Sequence, residues 1–295
     1  MFRFRLDHPA ESELRRIARE QLARAIDELD NLPPAKAVHQ ARKRCKKLRG
    51  LIRLARPGME DTYREENAYF RDAASGLSTL RDATVLIETY DKLLDHFADD
   101  IDRQPFGIIR RRLTERHQSL AEQHSDDRIT DFRNALEASL LRVDFWTLSR
   151  PAVRVLLSGE QLTFRRARRA RSDAYESNDA EAFHDWRKRV KYHGFHVRLL
   201  RDLWPSVLKQ RARELQTLGD ILGDDHDLAV LRSTLIADPE RFGAPDDLAL
   251  FLALASRRQN QLRRAARSPG KRLFAERRKT HTRRLRECWK TAPQP

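Results

Sequence analysis

The chain has 295 residues, enough for two small domains or one elongated double domain, and its 59 Lys and Arg against 44 Asp and Glu give a net charge of +15. Such a charge favours an anionic partner, and nucleic acid, an acidic membrane surface and polyphosphate are the candidates. The two cysteines exclude a disulfide framework, and the longest apolar run (248–255) is far too short to cross a membrane. The sequence therefore predicts a soluble protein of the cytoplasm with no membrane partner.

Helices are predicted almost throughout the chain. Gly (10) and Pro (12) are scarce, and the alternating Val/Ile pattern of strands is absent, so the predicted fold class is all-α. In chain order, the predicted breaks between helices fall at 31–34, 57–58, 103–105, 151, 204–205, 237–245 and 268–270.

Two segments of the chain are repeated at one offset. Residues 38–46 (VHQARKRCK) match 183–191 (FHDWRKRVK), and 80–86 (LRDATVL) match 225–231 (DHDLAVL), in both cases 145 positions later. A constant offset over such a distance indicates a duplicated unit. We therefore predict two sequence-related helical bundles, 1–150 and 151–295, related by a pseudo-twofold axis.

The first repeated segment is predicted to be an amphipathic helix. At about 100° per residue, its apolar stripe contains Val38, Ala41, Cys45, Leu48, Ile52 and Ala55. The opposite face is basic and begins with His39. In the second copy, the apolar positions are Phe183, Trp186, Val190, Val197 and Leu200, and the basic face begins with His184.

The basic face has two interpretations, a solvated surface or an anion site. A face that serves only solubility usually intersperses Glu with Lys, because like charges at i,i+4 repel one another. Residues 38–56 contain eight Lys and Arg and no acid, and 183–201 contain six with Asp185 as the only acid. This imbalance, present in both copies, favours the anion site.

These motifs, HQARKRCKKLR, HDWRKRVKY, LRDATVL and LGDDHDLAVL, resemble the CHAD family, the "conserved histidine α-helical domain". The resemblance covers nearly the whole chain. It implies two helical bundles with internal symmetry and a basic central surface that binds polyphosphate. Such a protein would lie in the cytoplasm, where it could associate with polyphosphate granules.

The resemblance also implies which residues contact the anion. The candidate polyphosphate contacts, transferred by position, are His39, Arg42, Lys43, Lys46, Arg49, Arg53, His184, Arg187, Lys188, Lys191 and Arg198. The copies differ where Gly194 stands opposite Arg49 and Tyr192 opposite Lys47. We therefore expect the second copy to bind less strongly at its distal end.

A metal or catalytic site is the competing interpretation of the histidines. His39 and His184 each have cations at i+3 and i+4, which repel a divalent metal and lower the imidazole pKa. We therefore expect no metal and no cofactor. Asp82 and Asp227 match across the repeat, and we interpret them as residues that orient basic side chains, because no nucleophile or Gly-rich phosphate loop accompanies them.

The predicted function is non-catalytic binding of inorganic polyphosphate, with no enzyme activity. Two further basic runs, 165–171 and 257–286, could widen the basic surface or bind nucleic acid non-specifically. Two alternatives therefore stay open: a nucleic-acid-binding accessory protein and a metal-dependent polyphosphate or triphosphate hydrolase.

Overall fold

Every regular element in the described part of the chain is a helix. The structure, a computed structural model, describes residues 1–75, 78–122 and 126–292. The α-helices in these ranges are α1 (Ala10–Asn31), α2 (Pro34–Ala55), α3 (Glu60–Ser75), α4 (Ser78–His96), α5 (Gly107–Glu122), α6 (Asp126–Val143), α7 (Ala152–Ser177), α8 (Ala180–Leu199), α9 (Pro205–Ala237), α10 (Pro245–Leu273) and α11 (Arg278–Thr291). The predicted all-α class is confirmed.

Proline and short polar side chains set most helix boundaries. α2, α9 and α10 each begin with a proline, whose missing N–H costs nothing in the first turn. Between α7 and α8, Asn178 adopts the left-handed conformation with φ of 52°, and the Asp179 carboxylate then accepts a hydrogen bond from the Ala182 N–H at 2.7 Å. The sequence breaks up to Pro245 therefore coincide with helix ends.

The predicted break at 268–270 is wrong, because α10 continues to Leu273 with Pro269 inside it. Pro269 lies in the last turns of the helix, where one missing hydrogen bond is tolerated if packing compensates. Packing does so at Gly270, where an added Cβ would come within 2.7 Å of the Trp186 ring. The Gly that looks like a helix terminator is therefore a close contact between α10 and α8.

The buried apolar residues form two clusters. The larger joins α1, α2, α3, α6, α7, α8, α11, the first half of α9 and the C-terminal part of α10. The smaller joins α4, α5, α10 and the second half of α9, with Tyr90 and Phe251 stacked at 5.4 Å between ring centroids. Each cluster combines helices from before and after residue 150. The division at that residue, like the pseudo-twofold axis, stays a prediction from the repeat.

The predicted apolar stripes of α2 and α8 are both buried. Val38, Ala41, Cys45, Leu48, Ile52 and Ala55 are at most 7% exposed, as are their counterparts Phe183, Trp186, Val190, Val197 and Leu200. Small residues let the neighbouring helices approach α2 closely. An added Cβ on Gly159 of α7 would lie 1.9 Å from the Leu54 carbonyl oxygen. Burial of these stripes orients the basic faces of α2 and α8 away from the core.

Candidate functional site

The two basic helices cross at Gly50. An added Cβ there would lie 2.8 Å from the Phe195 ring, and His196 Nε2 lies 3.1 Å from the Gly50 carbonyl oxygen. Gly50 and Phe195 are equivalent positions of the sequence repeat. The crossing therefore brings the two copies of the basic motif together, with α4 and α9 packed beside them.

Lys46 and Lys191, another pair of equivalent positions, form the centre of the site. Although the Lys46 side chain reaches solvent, partial burial of its ammonium group and the neighbouring charge of Lys191 lower its pKa to about 8. Burial likewise lowers the pKa of Lys191, and Arg187 lowers it further. Among the described residues no carboxylate lies within ion-pair distance of either lysine, so their charges are available to a ligand.

Each half of this centre has an arginine with an aspartate near it. Arg42 lies 3.8 Å from Asp82, a loose ion pair with a largely exposed carboxylate. Burial raises the pKa of Asp227, whereas the charge of Arg187 opposes that shift. Arg187 and Lys191 both pack against α9. An added Cβ on Gly223 would lie 3.5 Å from the Arg187 side chain, and one on Gly219 would lie 3.6 Å from the Lys191 side chain. This placement is compatible with aspartates that orient arginines, the role predicted for them.

The leading histidines both lie at the edge of this centre. Burial lowers the pKa of His39, and the charges of Arg81 and Lys43 lower it further. His184 stacks on His226 of α9 with ring centroids 3.9 Å apart. Burial, followed by the charge of His184, lowers the pKa of His226 to about 3. The imidazole rings of His39 and His226 are therefore neutral hydrogen-bonding groups at neutral pH rather than additional charges.

Sequence reasoning did not select Arg81 and His226, although the repeat contained the signal. They occupy equivalent positions in the repeated segments 80–86 and 225–231. Arg81 acts electrostatically on His39, and His226 contacts His184, so each adds a nitrogen-bearing group beside a leading histidine. Attention to Asp82 and Asp227 alone missed these immediate neighbours.

The distal residues lie on either side of the crossing rather than at its centre. Arg49 and Arg53 donate hydrogen bonds to Asn67 Oδ1 at 3.2 and 3.3 Å, and Arg53 lies 4.2 Å from the centroid of Tyr192. Arg198 donates to Gln216 Oε1 at 2.7 Å. Because the hydrogen-bonding partners are neutral amides, these arginines keep their net charge while their positions are fixed.

Further cations extend both sides. Burial lowers the pKa of Arg166, and the charges of Arg189, Arg56 and Arg53 contribute to that shift. On the other side, burial lowers the pKa of Lys47 to about 8, with contributions from Arg44, Lys43 and Arg198. The sequence singled out Arg166 only within the run 165–171 that could widen the basic surface, because its proximity to Arg53 depends on how α7 packs. A basic strip therefore follows the crossing, and it is denser than one helix could provide.

Lys188 differs from its counterpart Lys43. Its ammonium group lies 3.0 Å from Asp185, which also lies 3.3 Å from Arg189. Lys43 is exposed and has no such partner among the described residues. A carboxylate on α8 thus partly neutralises the candidate anion-binding cations of that helix, whereas those of α2 are neutralised less.

A family model described as the CHAD domain matches residues 14–236. The chain belongs to the CHAD domain family. The match contains every candidate contact residue and extends from α1 into the end of α9, so the CHAD domain includes the whole helix crossing. A search of curated proteins finds no significant match. Among the described residues, no helix is long and apolar enough to cross a membrane.

Proposed function

We propose that this CHAD domain binds inorganic polyphosphate along the crossing of α2 and α8 and holds it without breaking it. The observation that carries the proposal is the juxtaposition of Lys46 and Lys191 without a carboxylate partner. Burial lowers the pKa of both lysines, and the charge of Lys191 lowers that of Lys46 further, so keeping both lysines charged costs free energy in the free protein. A bound anion would relieve that cost, so binding energy is available where the lysines meet.

The shape of the site favours a linear polyanion with closely spaced charges. The cations succeed one another along α2 from Arg53 to Lys46. Lys46 lies near Lys191 of α8, and Lys47 lies near Arg198. Lysine offers compact point charges and arginine a planar fork of donors, and both suit phosphate oxygens. Among the described residues, the rings nearest these cations are Tyr192, Tyr63 and Phe2, and they lie against Arg53, Arg56 and Lys47, so they offer no open platform for stacking bases. Polyphosphate, which has no bases, fits this arrangement.

A holding role rather than hydrolysis is supported by the chemistry of the same groups. Asp82 and Asp227 lie beside arginines, and in the described part of this strip no serine or cysteine nucleophile is paired with a base. We expect no phosphate release from polyphosphate or nucleoside triphosphates, with or without Mg²⁺ or Mn²⁺. Turnover that disappears in Asp82→Asn or Asp227→Asn would show that these carboxylates are catalytic.

A binding titration tests the proposal. Polyphosphate, duplex DNA and RNA are compared at equal phosphate concentration and fixed salt, on the wild type and on Lys46→Glu with Lys191→Glu. We expect polyphosphate to bind most tightly per phosphate, with affinity falling as salt rises. The double reversal should weaken binding by well over the factor of about five that one surface contact contributes.

The matched control reverses two exposed cations elsewhere, Arg111→Glu with Lys209→Glu. It changes the net charge equally, so any loss of affinity from long-range charge alone would appear in it. Circular dichroism confirms that each variant folds. Duplex DNA binding that falls as much as polyphosphate binding in Lys46→Glu with Lys191→Glu, or a folded variant of this pair that binds polyphosphate as before, would refute the assignment.

A further inference from the structure

The outer face of α10 carries a regular row of cations. From Leu248 to Ala275 the sequence contains no Asp or Glu. Arg257, Arg264 and Lys271 are exposed and follow one another at intervals of seven residues, which places them on one face of the helix. At 1.5 Å per residue, successive members are about 10 Å apart along the helix axis.

α7 extends this row sideways. Arg168 Nη1 donates to the Glu276 carbonyl oxygen at 3.3 Å, and the Arg267 guanidinium lies 5.4 Å from the centroid of Tyr175. These contacts bring α7 beside the C-terminal half of α10. The combined area, here named the α7–α10 surface, has as its exposed cations Arg165, Arg168, Arg169, Arg257, Arg264, Arg267, Lys271 and Arg272.

Carboxylates leave most of this surface uncompensated. Arg169 lies 3.7 Å from Asp173, and that is the one ion pair among these cations in the described part of the chain. Exposed cations concentrated in this way attract anions over a distance of several ångströms. The surface therefore has the electrostatic character of a polyanion-binding face in its own right.

α8 separates this surface from the helix crossing. Trp186 is fully buried and contacts Gly270 of α10. It follows His184 by two residues, a rotation of about 200° around the helix, so it points away from the side that bears His184 and Lys191. One ligand on the crossing would therefore not cover the α7–α10 surface at the same time without passing around α8.

We infer that the α7–α10 surface binds the phosphodiester backbone of a nucleic acid duplex. Its cation spacing of about 10 Å is close to the width of the B-DNA major groove, about 12 Å, so one helix face can reach phosphates on both sides of a groove. Arginines predominate, and their forks suit phosphate. Tyr175, the ring at this surface, lies beneath Arg267, which leaves no platform for stacking single-stranded bases.

The competing ligands fit the surface less well. A linear polyphosphate presents closely spaced charges along a single line, which the helix crossing matches better than a broad exposed face. A membrane would require several exposed large apolar side chains, whereas among the described residues Leu250 is the one of that kind on α10, and Leu141 and Phe145 lie on α6 or just after it. The inference does not rest on the polyphosphate proposal, because it uses different residues.

Fluorescence anisotropy on the full chain tests it, with labelled duplex RNA, duplex DNA and a single strand of equal length over a salt series. The key variant is Arg257→Glu with Arg264→Glu and Lys271→Glu. We expect duplex affinity to fall at least about tenfold and the salt slope to decrease by about three, one for each lost phosphate contact. Duplex DNA should bind more tightly than duplex RNA, because the narrow major groove of A-form RNA does not match the cation spacing.

Two further variants make the result specific. A control triple of exposed cations elsewhere, Lys36→Glu with Arg64→Glu and Lys209→Glu, matches the charge change and should retain most duplex binding. Lys46→Glu with Lys191→Glu should also retain it. Equal losses in the two triples, loss in the lysine pair, or single strands bound as tightly as duplexes would overturn the inference. Polyphosphate titration of the same variants independently reports the crossing site.

Discussion

α2 and α8 carry the same basic motif, but they differ on both of their faces. On the outward face, Asp185 neutralises part of α8, whereas its equivalent in α2 is Gln40. On the inward face, α8 buries His193 and His196, whereas α2 buries Leu48 and Leu51 at the equivalent positions. The shared feature is the meeting of Lys46 with Lys191. Anion binding should therefore depend on both helices, whereas of the two helices α8 should be the one whose buried histidines lower the folding stability in acid.

The largest expected effect separates the inward face of α2 from its outward face. Leu48 is fully buried, so Leu48→Asp places an unpaired carboxylate in the core and should cost about 3 kcal/mol or more in the free energy of unfolding. Lys46→Glu with Lys191→Glu should leave that free energy unchanged or raise it, because repulsion is relieved. Urea unfolding followed by circular dichroism measures both. An unfolded lysine variant would show that those lysines are structural.

The next effect concerns acid and the inward face of α8. Burial lowers the pKa of His193 well below its usual value and that of His196 to about 3. Below pH 6.5 the unfolded chain binds protons at both residues, whereas the folded chain does not, so stability falls as pH falls. Between pH 6.5 and 5.5 the two residues should together cost about 2 kcal/mol.

His193→Leu should remove about half of this loss, because it replaces the imidazole with the side chain that α2 has at the equivalent position. His8→Leu, at an exposed histidine, is the control and should leave the acid dependence unchanged. Thermal melts across the pH range provide the comparison. Identical acid dependence in His193→Leu and the wild type would disprove the assignment to α8.

A smaller effect links binding to proton uptake at the outward face of α2. The pKa values of Lys46 and Lys47 are about 8 in the free protein, and bound phosphate should raise them. Affinity for polyphosphate should then be constant below about pH 7 and fall as pH rises through 8. Because solvent partly screens both groups, we expect a decrease of about three- to fivefold by pH 9.

Lys46→Arg with Lys47→Arg should flatten this profile, because arginine stays charged throughout the range. Isothermal titration calorimetry in buffers of different ionisation enthalpy measures the proton uptake directly. A wild-type profile already flat to pH 9 would mean that these lysines do not contact the anion.

The smallest expected effect tests the difference between the outward faces of α8 and α2, which is the acid Asp185 in place of Gln40. Asp185→Asn frees Lys188 and Arg189, and it should raise polyphosphate affinity about twofold, the scale of an exposed ion pair. Gln40→Asp introduces the equivalent acid on α2 and should lower the affinity by a similar factor. Opposite signs in the two variants are required. Changes of the same sign would mean that the neighbouring cations do not act on the ligand.

The sequence predicted the helices and the central cations because both depend on local pattern. Apolar residues at helical spacing gave the buried stripes of α2 and α8, and the opposite faces followed from them. Pro269 was misinterpreted, since its tolerance depends on a distant contact between Gly270 and Trp186. The proximity of Arg166 to Arg53 could not be predicted for the same reason. What local pattern could not provide was the packing of one helix on another.

The residues before α1 pack against a part of the chain that is synthesised much later. The Phe4 N–H donates to the Leu199 carbonyl oxygen at 2.9 Å, Phe4 is 1% exposed, and Arg3 pairs with Asp202 at 2.7 Å. A contact between residues so far apart in sequence carries a large loop-closure entropy and slows folding. During synthesis, Phe4 must wait until α8 is complete. A segment translated before α1 therefore docks only after α8 has been made.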